Sequence, residues 1–182
     1  MFKLPIENYG MVMKTIDTME INTLFARSVL TGDAEGCVFV DSLQSPSSFY
    51  IVHAYGMTLL AGKPTNTSFI ESMQDYFANL QHDEWVQAYP EGWSPFMNAL
   101  ADQGIAKRYT RLNFTFDEAL YRELTQKGPV TRCSVLPTPL PLMQGMDGAV
   151  VPKYFWKPDP IHHCIGFTAF ANGIPASPAY SL

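Results

Sequence analysis

Residues 162–164 hold the chain's one cluster of metal-ligating side chains, His162, His163 and Cys164. Imidazole nitrogens and thiolates are the ligands that zinc takes in tetrahedral protein sites. Adjacent residues of a strand point to opposite faces, so at most two of these three side chains could share one ion. Neither HxxxH nor CxxC occurs elsewhere to complete a site. We therefore expect no metal cofactor.

Nucleotide-binding and nucleophile motifs are also missing from the sequence. It contains no GxGxxG, no GxxxxGK[ST] and no GxSxG, which removes the usual basis for a Rossmann, P-loop or hydrolase interpretation. Gly145-Met146-Asp147-Gly148 comes nearest to a phosphate loop. Two glycines beside prolines are more typical of a turn.

Two isolated polar residues could still do chemistry. His53 lies within a predicted strand and is either a base or, more commonly, a hydrogen-bonded histidine of the core or a cleft. Asp41 ends another strand, where a carboxylate can line a cleft but more often forms a turn or caps a helix. Tyr180 is interpreted as a strand tyrosine rather than a cleft residue. The sequence leaves the catalytic residues unknown.

Aromatic side chains are concentrated in one short region. Trp85, Tyr89, Trp93 and Phe96 could form a wall on which a ligand stacks. Packing in the core or at an interface is the commoner use of such side chains.

Composition limits the kind of partner. The chain has 182 residues, of which 47% are hydrophobic, and a net charge of -5 with a pI near 5.3. This charge, without basic runs, argues against nucleic acid and membrane surfaces and favours a small molecule or a protein. Cys37, Cys133 and Cys164 are widely spaced, and we expect partly buried free thiols in a reducing cytoplasm. No secretory leader or membrane span is apparent.

The first element that would position these residues is a helix predicted over residues 12–30, which ends at Gly32. Its predicted apolar face consists of Ile21, Leu24, Phe25 and Val29. A buried strand over 36–41 and a hairpin of strands 49–53 and 57–61 follow. Ser68 and Glu71 have capping-box spacing and predict a helix to Leu80. Its predicted buried stripe consists of Ile70, Met73, Phe77 and Leu80.

The chain is next predicted to contain a strand over 84–88 and a helix capped by Ser94, with Pro95 in its first turn and an end at Gly104. Residues 107–116 alternate as a strand would, and Asp117 should cap a helix to Lys127.

Prolines dominate the stretch after Gly128, which predicts a linker and a domain boundary there. The prolines are Pro129, Pro137, Pro139 and Pro141. Beyond them, residues 149–156 could form a short strand or helix. Residues 164–170 predict a strand that enters a hairpin turn at Asn172-Gly173, with its partner strand starting near Ala176.

Several segments resemble a bacterial family, the zwittermicin-A-resistance-protein-like acetyltransferases of the GNAT superfamily. They are residues 20–30 (EINTLFARSVL), 36–41 (GCVFVD), 59–62 (LLAG), 109–114 (YTRLNF), 165–169 (IGFTA) and 176–181 (ASPAYS). These segments are mostly apolar patterns rather than reacting groups.

The resemblance implies an acetyl-CoA-dependent N-acetyltransferase that acts on a small-molecule amine. Its N-terminal part would be a degenerate acetyltransferase fold over 1–128, and residues 129–182 would begin an incomplete C-terminal domain. In this family a [RQ]xxGx[GA] motif, where a strand splays and a helix begins, holds the pyrophosphate of acetyl-CoA. Residues 144–149 (QGMDGA) have the wrong spacing for it. We expect the chain alone to lack this loop, and no catalytic or cofactor-binding residue is transferred from the family.

The expected fold is therefore α+β or mixed α/β, with a mixed sheet flanked by helices. The alternative function is a non-catalytic binding, regulatory or dimerisation module that keeps the fold. In the dimerisation form, the edge of the last hairpin would pair across a two-fold axis to give a homodimer.

Overall fold

The computed structural model describes residues 1–110, 115–126, 128, 133–138 and 166–180. The chain divides into two compact units, Met1–Tyr109 and Thr110–Leu182, called unit 1 and unit 2 below. The boundary after Gly128, derived from the proline content, stays a prediction.

Unit 1 is described throughout and combines short helices with a five-stranded sheet. Its elements are β1 Phe2–Lys3, α1 Gly10–Ile16, α2 Leu24–Thr31, β2 Gly36–Val40, β3 Ser48–His53, β4 Met57–Gly62, α3 Thr67–Ala78, β5 Trp85–Tyr89 and α4 Ser94–Asp102. Two 3₁₀ turns, Ile6–Asn8 and Glu91–Trp93, precede α1 and α4.

The strands of this sheet lie in the order β1-β2-β3-β4-β5. The first four pair antiparallel, whereas β5 pairs parallel to β4 after the crossover through α3. A helix is the usual connection between parallel neighbours, since the chain must return to the same end of the sheet. The predicted mixed sheet flanked by helices, and the predicted hairpin of β3 and β4, are confirmed.

Each face of the sheet packs against helices, because neighbouring residues of a strand point in opposite directions. On one face, Val38, Ile51 and Leu59 are fully buried in a core cluster with residues of α1 and α2. On the other face, Tyr50 and Leu60 join a second cluster with residues of α3 and α4. This burial explains why β3 and β4 read as almost continuous apolar runs.

The single helix predicted over residues 12–30 is wrong, since α1 ends at Ile16 and α2 begins at Leu24. Residues 17–23 are rich in side chains that compete for backbone hydrogen bonds, and the Asn22 side chain accepts one from Leu24 N. Leu24, expected on the buried face, is 72% exposed, whereas Phe25 and Val29 are buried. The predicted stop at Gly32 is confirmed.

Two predicted helix caps are wrong. Asn66, and not Ser68, caps α3 by accepting from Phe69 N at 3.1 Å, because asparagine is an equally good N-cap and precedes the serine. Ser94 is the first residue of α4 rather than its cap, because the preceding 3₁₀ turn runs directly into this helix. Pro95 lies in the first turn as predicted. Of the predicted α3 stripe, Met73 is fully buried, and Ile70 and Phe77 are partly so.

Unit 2 contains α5 Glu118–Gln126 and an antiparallel sheet of β6 Cys133–Pro137, β7 Gly166–Ala171 and β8 Ile174–Tyr180. The predicted cap of α5 is confirmed, as Leu120 N donates to Asp117 Oδ1 at 2.9 Å. The predicted turn is confirmed as well, with φ of 52° at Asn172 and 77° at Gly173. The partner strand begins at Ile174, before the predicted Ala176, because the turn uses only two residues.

The proline-rich linker is wrong for residues 133–137, which pair with β7 as an edge strand. Proline fits at the end of such a strand because its missing N–H is not needed there. Residues 107–110 and 115–117 form no strand, contrary to the predicted strand over 107–116. Residues 111–114, 127, 129–132, 139–165 and 181–182 lie outside the described residues. The prediction of a short strand or helix over 149–156 concerns residues in this set.

Candidate functional site

A buried carboxylate, Glu84, lies directly before β5 and is the centre of a polar cluster in unit 1. Its side chain is 1% exposed. Tyr76 Oη of α3 donates to Glu84 Oε1 at 2.7 Å, and Tyr50 Oη of β3 donates to Glu84 Oε2. The same Tyr50 hydroxyl lies 2.8 Å from Thr58 Oγ1 of β4. His82 Nε2 approaches Glu84 Oε1 at 3.3 Å from the solvent side, with its own side chain 64% exposed.

The two phenols of this cluster are held in their neutral form. Burial raises the pKa of Tyr50 far above its ordinary value, and the adjacent carboxylate of Glu84 raises it further. Burial and the hydrogen bond to Glu84 likewise raise the pKa of Tyr76. Both hydroxyls therefore act as donors to the carboxylate at neutral pH.

A carboxylate between two phenols could transfer protons, but a substrate must be able to reach it. Tyr50 is fully buried and the Glu84 side chain is 1% exposed, whereas the neighbouring His82 side chain is 64% exposed. The contacts of Glu84 instead join β3, α3 and the start of β5. We infer that this cluster stabilises the packing of these elements and is not a catalytic centre.

The second polar group, Asp41 and Asn66, lies at the junction of β4 and α3. Asp41 Oδ1 accepts from Ser47 N at 2.8 Å and from Ser48 N at 3.1 Å. Its Oδ2 accepts from Ser47 Oγ at 2.6 Å and from Asn66 Nδ2 at 3.1 Å. Burial alone would raise the pKa of Asp41, but these hydrogen bonds outweigh it and lower the pKa below its ordinary value. Of the two predicted roles, the structure places Asp41 in the turn-forming one.

Where β4 leads into the loop before α3, Gly62 and Lys63 form hydrogen bonds with neighbouring segments. Trp93 Nε1 donates to Gly62 O at 3.2 Å, Lys63 N donates to Ser47 O at 2.9 Å, and Ser48 Oγ donates to Lys63 O at 2.6 Å. Gly62 has φ of 91°, and a Cβ there would lie 2.1 Å from Ser47 O. Only glycine fits this position, so the loop is pressed against the β2–β3 connection.

His53 ends β3 and is buried, with 2% of its surface exposed. Its Nδ1 accepts from Tyr55 N at 3.3 Å, and the two rings lie 4.0 Å apart. Burial lowers the pKa of His53 to about 4. A histidine that is neutral and covered at pH 7 matches the predicted core role better than that of a base.

The four aromatic residues singled out in the sequence do not form one wall. Trp93 is fully buried and packs edge-on against Phe96 at 6.2 Å between ring centroids. Trp85 lies on the opposite face of β5, is 48% exposed and contacts the Tyr109 ring at 5.2 Å. Trp85 belongs to β5, whereas Trp93 belongs to the following 3₁₀ turn and Phe96 to α4, and the core role holds for these last two residues.

The clusters at Glu84 and Asn66 were not predicted from the sequence. The Asn-Thr-Ser run at residues 66–68 does carry a readable capping signal, because asparagine is a strong N-cap. No local sequence pattern predicts the cluster around Glu84, because its hydrogen-bond partners come from β3 and α3.

His162, His163, Cys164 and residues 145–148 lie outside the described residues. Within the described ranges, no group of three or more His, Cys, Asp or Glu side chains is placed to hold a metal ion. No helix in that part of the chain is long and apolar enough to cross a membrane.

Neither a protein-family model nor a curated protein matches this sequence. Among solved structures, the chain is similar to a GCN5-related N-acetyltransferase-like protein from Streptococcus suis 89/1591. The TM-score is 0.60 at 16% sequence identity, and the match covers 96% of this chain and 70% of the other. At this identity the similarity concerns the fold. The chain thus has the mixed α+β fold of a GCN5-related N-acetyltransferase-like protein.

Proposed function

We propose that this chain belongs to an acetyl-CoA-dependent N-acetyltransferase of the zwittermicin-A-resistance-protein-like kind. The observation that carries the proposal is the acetyltransferase-like fold, which extends over 96% of the chain. The apolar segments noted in the sequence support the finer family assignment. Fold alone does not define chemistry, because related folds host many functions.

The proposed reaction transfers an acetyl group from acetyl-CoA to a small-molecule amine. A general base removes a proton from the amine, whose nitrogen attacks the thioester carbonyl, and hydrogen-bond donors stabilise the resulting oxyanion. When this intermediate collapses, the C–S bond breaks, and the coenzyme A thiolate leaves and takes up a proton. We assign none of these roles to a described residue. The side chains of Glu84 and His53 are buried, and the Asp41 carboxylate already accepts hydrogen bonds from the backbone.

The proposal also includes the location and the domain arrangement. A protein that uses acetyl-CoA is expected in the cytoplasm, and the free thiols at Cys37 and Cys133 are compatible with a reducing compartment. Residues 1–128 would form a degenerate acetyltransferase-like domain, and residues 129–182 would begin the catalytic one.

The second candidate is a non-catalytic binding, regulatory or dimerisation module. The observation that favours it is that the polar side chains around Glu84 and Asp41 form hydrogen bonds that connect parts of the fold. Its homodimer form would need an open sheet edge, and among the described strands of unit 2, β8 lies at an edge. Pro175 and Pro178 lie in β8 and lack the N–H groups that edge pairing uses, so a dimer through β8 is disfavoured. Sedimentation of the purified protein tests this form, and a concentration-dependent dimer would support it.

Expression of the complete open reading frame that contains these 182 residues tests the enzyme proposal. The purified product is incubated with acetyl-CoA and a panel of primary amines, and acetylated amines are detected by mass spectrometry. We expect at least one acetylated product, with heat-inactivated protein as the control. If no amine is acetylated and acetyl-CoA does not change the melting temperature, the enzyme proposal is wrong and the binding module is favoured.

A further inference from the structure

β5 forms an open edge of the sheet in unit 1. Among the described strands it pairs with β4 alone and ends the strand order. Trp85 N donates to Gly56 O on the β4 side at 2.7 Å. Because successive residues of a strand direct their backbone groups to opposite edges, the N–H and C=O groups of Val86 and Ala88 point to the open edge. We infer that this edge pairs with the same edge of a second copy of the chain.

β5 lacks the features that usually protect an edge strand. Proteins block such edges with very short strands, lysines, prolines or bulges. The other edge strand of this sheet, β1, has only two residues and includes Lys3. β5 has five residues, carries no charge and no proline, and keeps a regular register with β4. It therefore presents a flat edge to which a further strand can add.

The sequence of β5 is self-complementary, which favours a second copy as the partner. From residue 85 to 89 it reads Trp-Val-Gln-Ala-Tyr, with an aromatic residue at each end and Gln87 at the centre. Antiparallel pairing about a two-fold axis at Gln87 places Val86 opposite Ala88 of the partner subunit. Each such pair exchanges both of its backbone hydrogen bonds, and the same surface serves both copies.

The same register covers exposed aromatic rings. Trp85 is 48% exposed, and the Tyr109 ring that contacts it is 61% exposed. Side chains directly opposite each other on paired strands lie about 5 Å apart, so Tyr89 of the partner subunit would cover Trp85. Buried aromatic side chains supply much of the affinity of protein interfaces.

Gln87 lies at the proposed axis and has an unused acceptor. Its Oε1 is buried, and no donor among the described residues bonds to it. Since the backbone groups of Gln87 point to β4, it would form a non-hydrogen-bonded pair across the axis, with Cα atoms only about 4.5 Å apart. The amide nitrogen of the partner's Gln87 would then be close enough to donate to this oxygen.

The two ends of the edge carry opposite charges. At one end, Lys107 Nζ lies 5.2 Å from the centre of the Tyr109 ring, which contacts Trp85. Glu91 lies just beyond the other end, in the 3₁₀ turn. Antiparallel pairing brings Lys107 towards Glu91 of the partner subunit. Asp83 lies at the same end as Lys107 and reduces this attraction, so we expect charge to contribute little to the affinity.

Sedimentation of the 182-residue chain over a concentration series tests the inference, and we expect a reversible dimer. Gln87→Glu places two carboxylates at the axis and should raise the dissociation constant at least about tenfold. Gln103→Glu adds the same charge at the end of α4 and should leave the dissociation constant unchanged. A protein that stays monomeric at its highest soluble concentration would overturn the inference. So would a dimer that Gln87→Glu does not weaken, since another edge would then form it.

A charge swap separates a lost interface from a damaged fold. Gln87→Lys alone should also weaken the dimer, whereas an equimolar mixture of Gln87→Glu and Gln87→Lys should form heterodimers, because opposite charges then meet at the axis. Circular dichroism checks that each variant is folded. A mixture of folded variants that does not associate more than either variant alone would contradict the proposed axis.

Trp85→Ser provides a variant at an exposed position, which does not depend on whether the Gln87 variants fold. It removes the ring that the partner's Tyr89 would cover and should raise the dissociation constant about tenfold. An unchanged dissociation constant would overturn the inference. All of these measurements are made without acetyl-CoA, so their outcome is independent of the enzyme proposal.

Discussion

Burial favours the neutral form of the His53 imidazole in the folded protein. The imidazole lies at the end of β3, 2% exposed, and accepts a hydrogen bond from the Tyr55 amide. Removing an imidazolium from water is unfavourable, so its pKa falls from 6.5 to about 4. The unfolded chain therefore binds a proton at a higher pH than the folded chain does.

This difference predicts a loss of stability on acidification. The stabilisation is complete above pH 6.5, the ordinary pKa, and is lost as the pH falls towards about 4, the pKa in the folded state. The expected loss in the free energy of unfolding is roughly 2 to 3 kcal/mol. Urea titrations between these pH values measure it. His53→Asn, which keeps an acceptor for Tyr55 N but does not titrate, should show a shallower dependence. Equal slopes for the two proteins would contradict the assignment.

At the scale of elements, Glu84 joins three parts of unit 1 that are distant in sequence. Tyr50 comes from β3, Tyr76 from α3, and Glu84 itself precedes β5. The hydrogen bonds attach the C-terminal half of α3 to the sheet and define where the chain enters β5. A buried carboxylate is costly unless its oxygens are satisfied, and these donors satisfy them.

Removal of one phenol should therefore destabilise unit 1. For Tyr76→Phe we expect a loss of about 1 to 3 kcal/mol in the free energy of unfolding, because the ring stays while the buried carboxylate loses a donor. Urea denaturation of this variant, of Glu84→Gln and of the double variant gives the coupling energy. The loss should be smaller in the Glu84→Gln background. Additive losses would mean that the phenol and the carboxylate do not interact.

The cap of α5 allows a similar test in unit 2. Asp117→Ala removes the acceptor for Leu120 N, and the start of the helix should lose about 1 kcal/mol. Faster hydrogen exchange of the Leu120 amide measures this. Asp117→Asn keeps a side-chain acceptor and should behave like the original protein, so equal exchange rates in the alanine and asparagine variants would disprove the cap.

At the scale of the whole molecule, each unit has one cysteine among the residues that the structure describes. Cys37 of unit 1 is half-buried, and Cys133 of unit 2 is exposed on the edge strand β6. Burial raises the pKa of the Cys37 thiol, and Glu84 raises it further while Lys3 opposes the change. Because the thiolate is the reactive form, Cys37 should be the slower of the two.

Alkylation by iodoacetamide at neutral pH, with peptide mapping, tests this difference. We expect Cys133 to react at least about tenfold faster than Cys37 in the folded protein. The two rates should converge in urea, where burial is lost. Comparable rates without denaturant would show that unit 1 opens readily at β2.

The sequence by itself determined the elements whose signals are local. The apolar runs of β2, β3 and β4, the turn at Asn172-Gly173 and the cap at Asp117 depend on neighbouring residues, and all were predicted. The mixed fold class was expected from these elements together with the family resemblance. Helix limits were less predictable, because residues 17–23 break an apolar pattern that continues on both sides.

Only the tertiary structure decided what the polar residues do. Whether Asp41 faces a cleft or fixes a loop depends on Ser47, Ser48 and Asn66, which reach it through the β2–β3 connection and the start of α3. Glu84 is exposed or buried according to where α3 packs on the sheet. Such contacts join residues far apart in the chain, and their energies depend on distance and solvent exposure, which no local pattern contains.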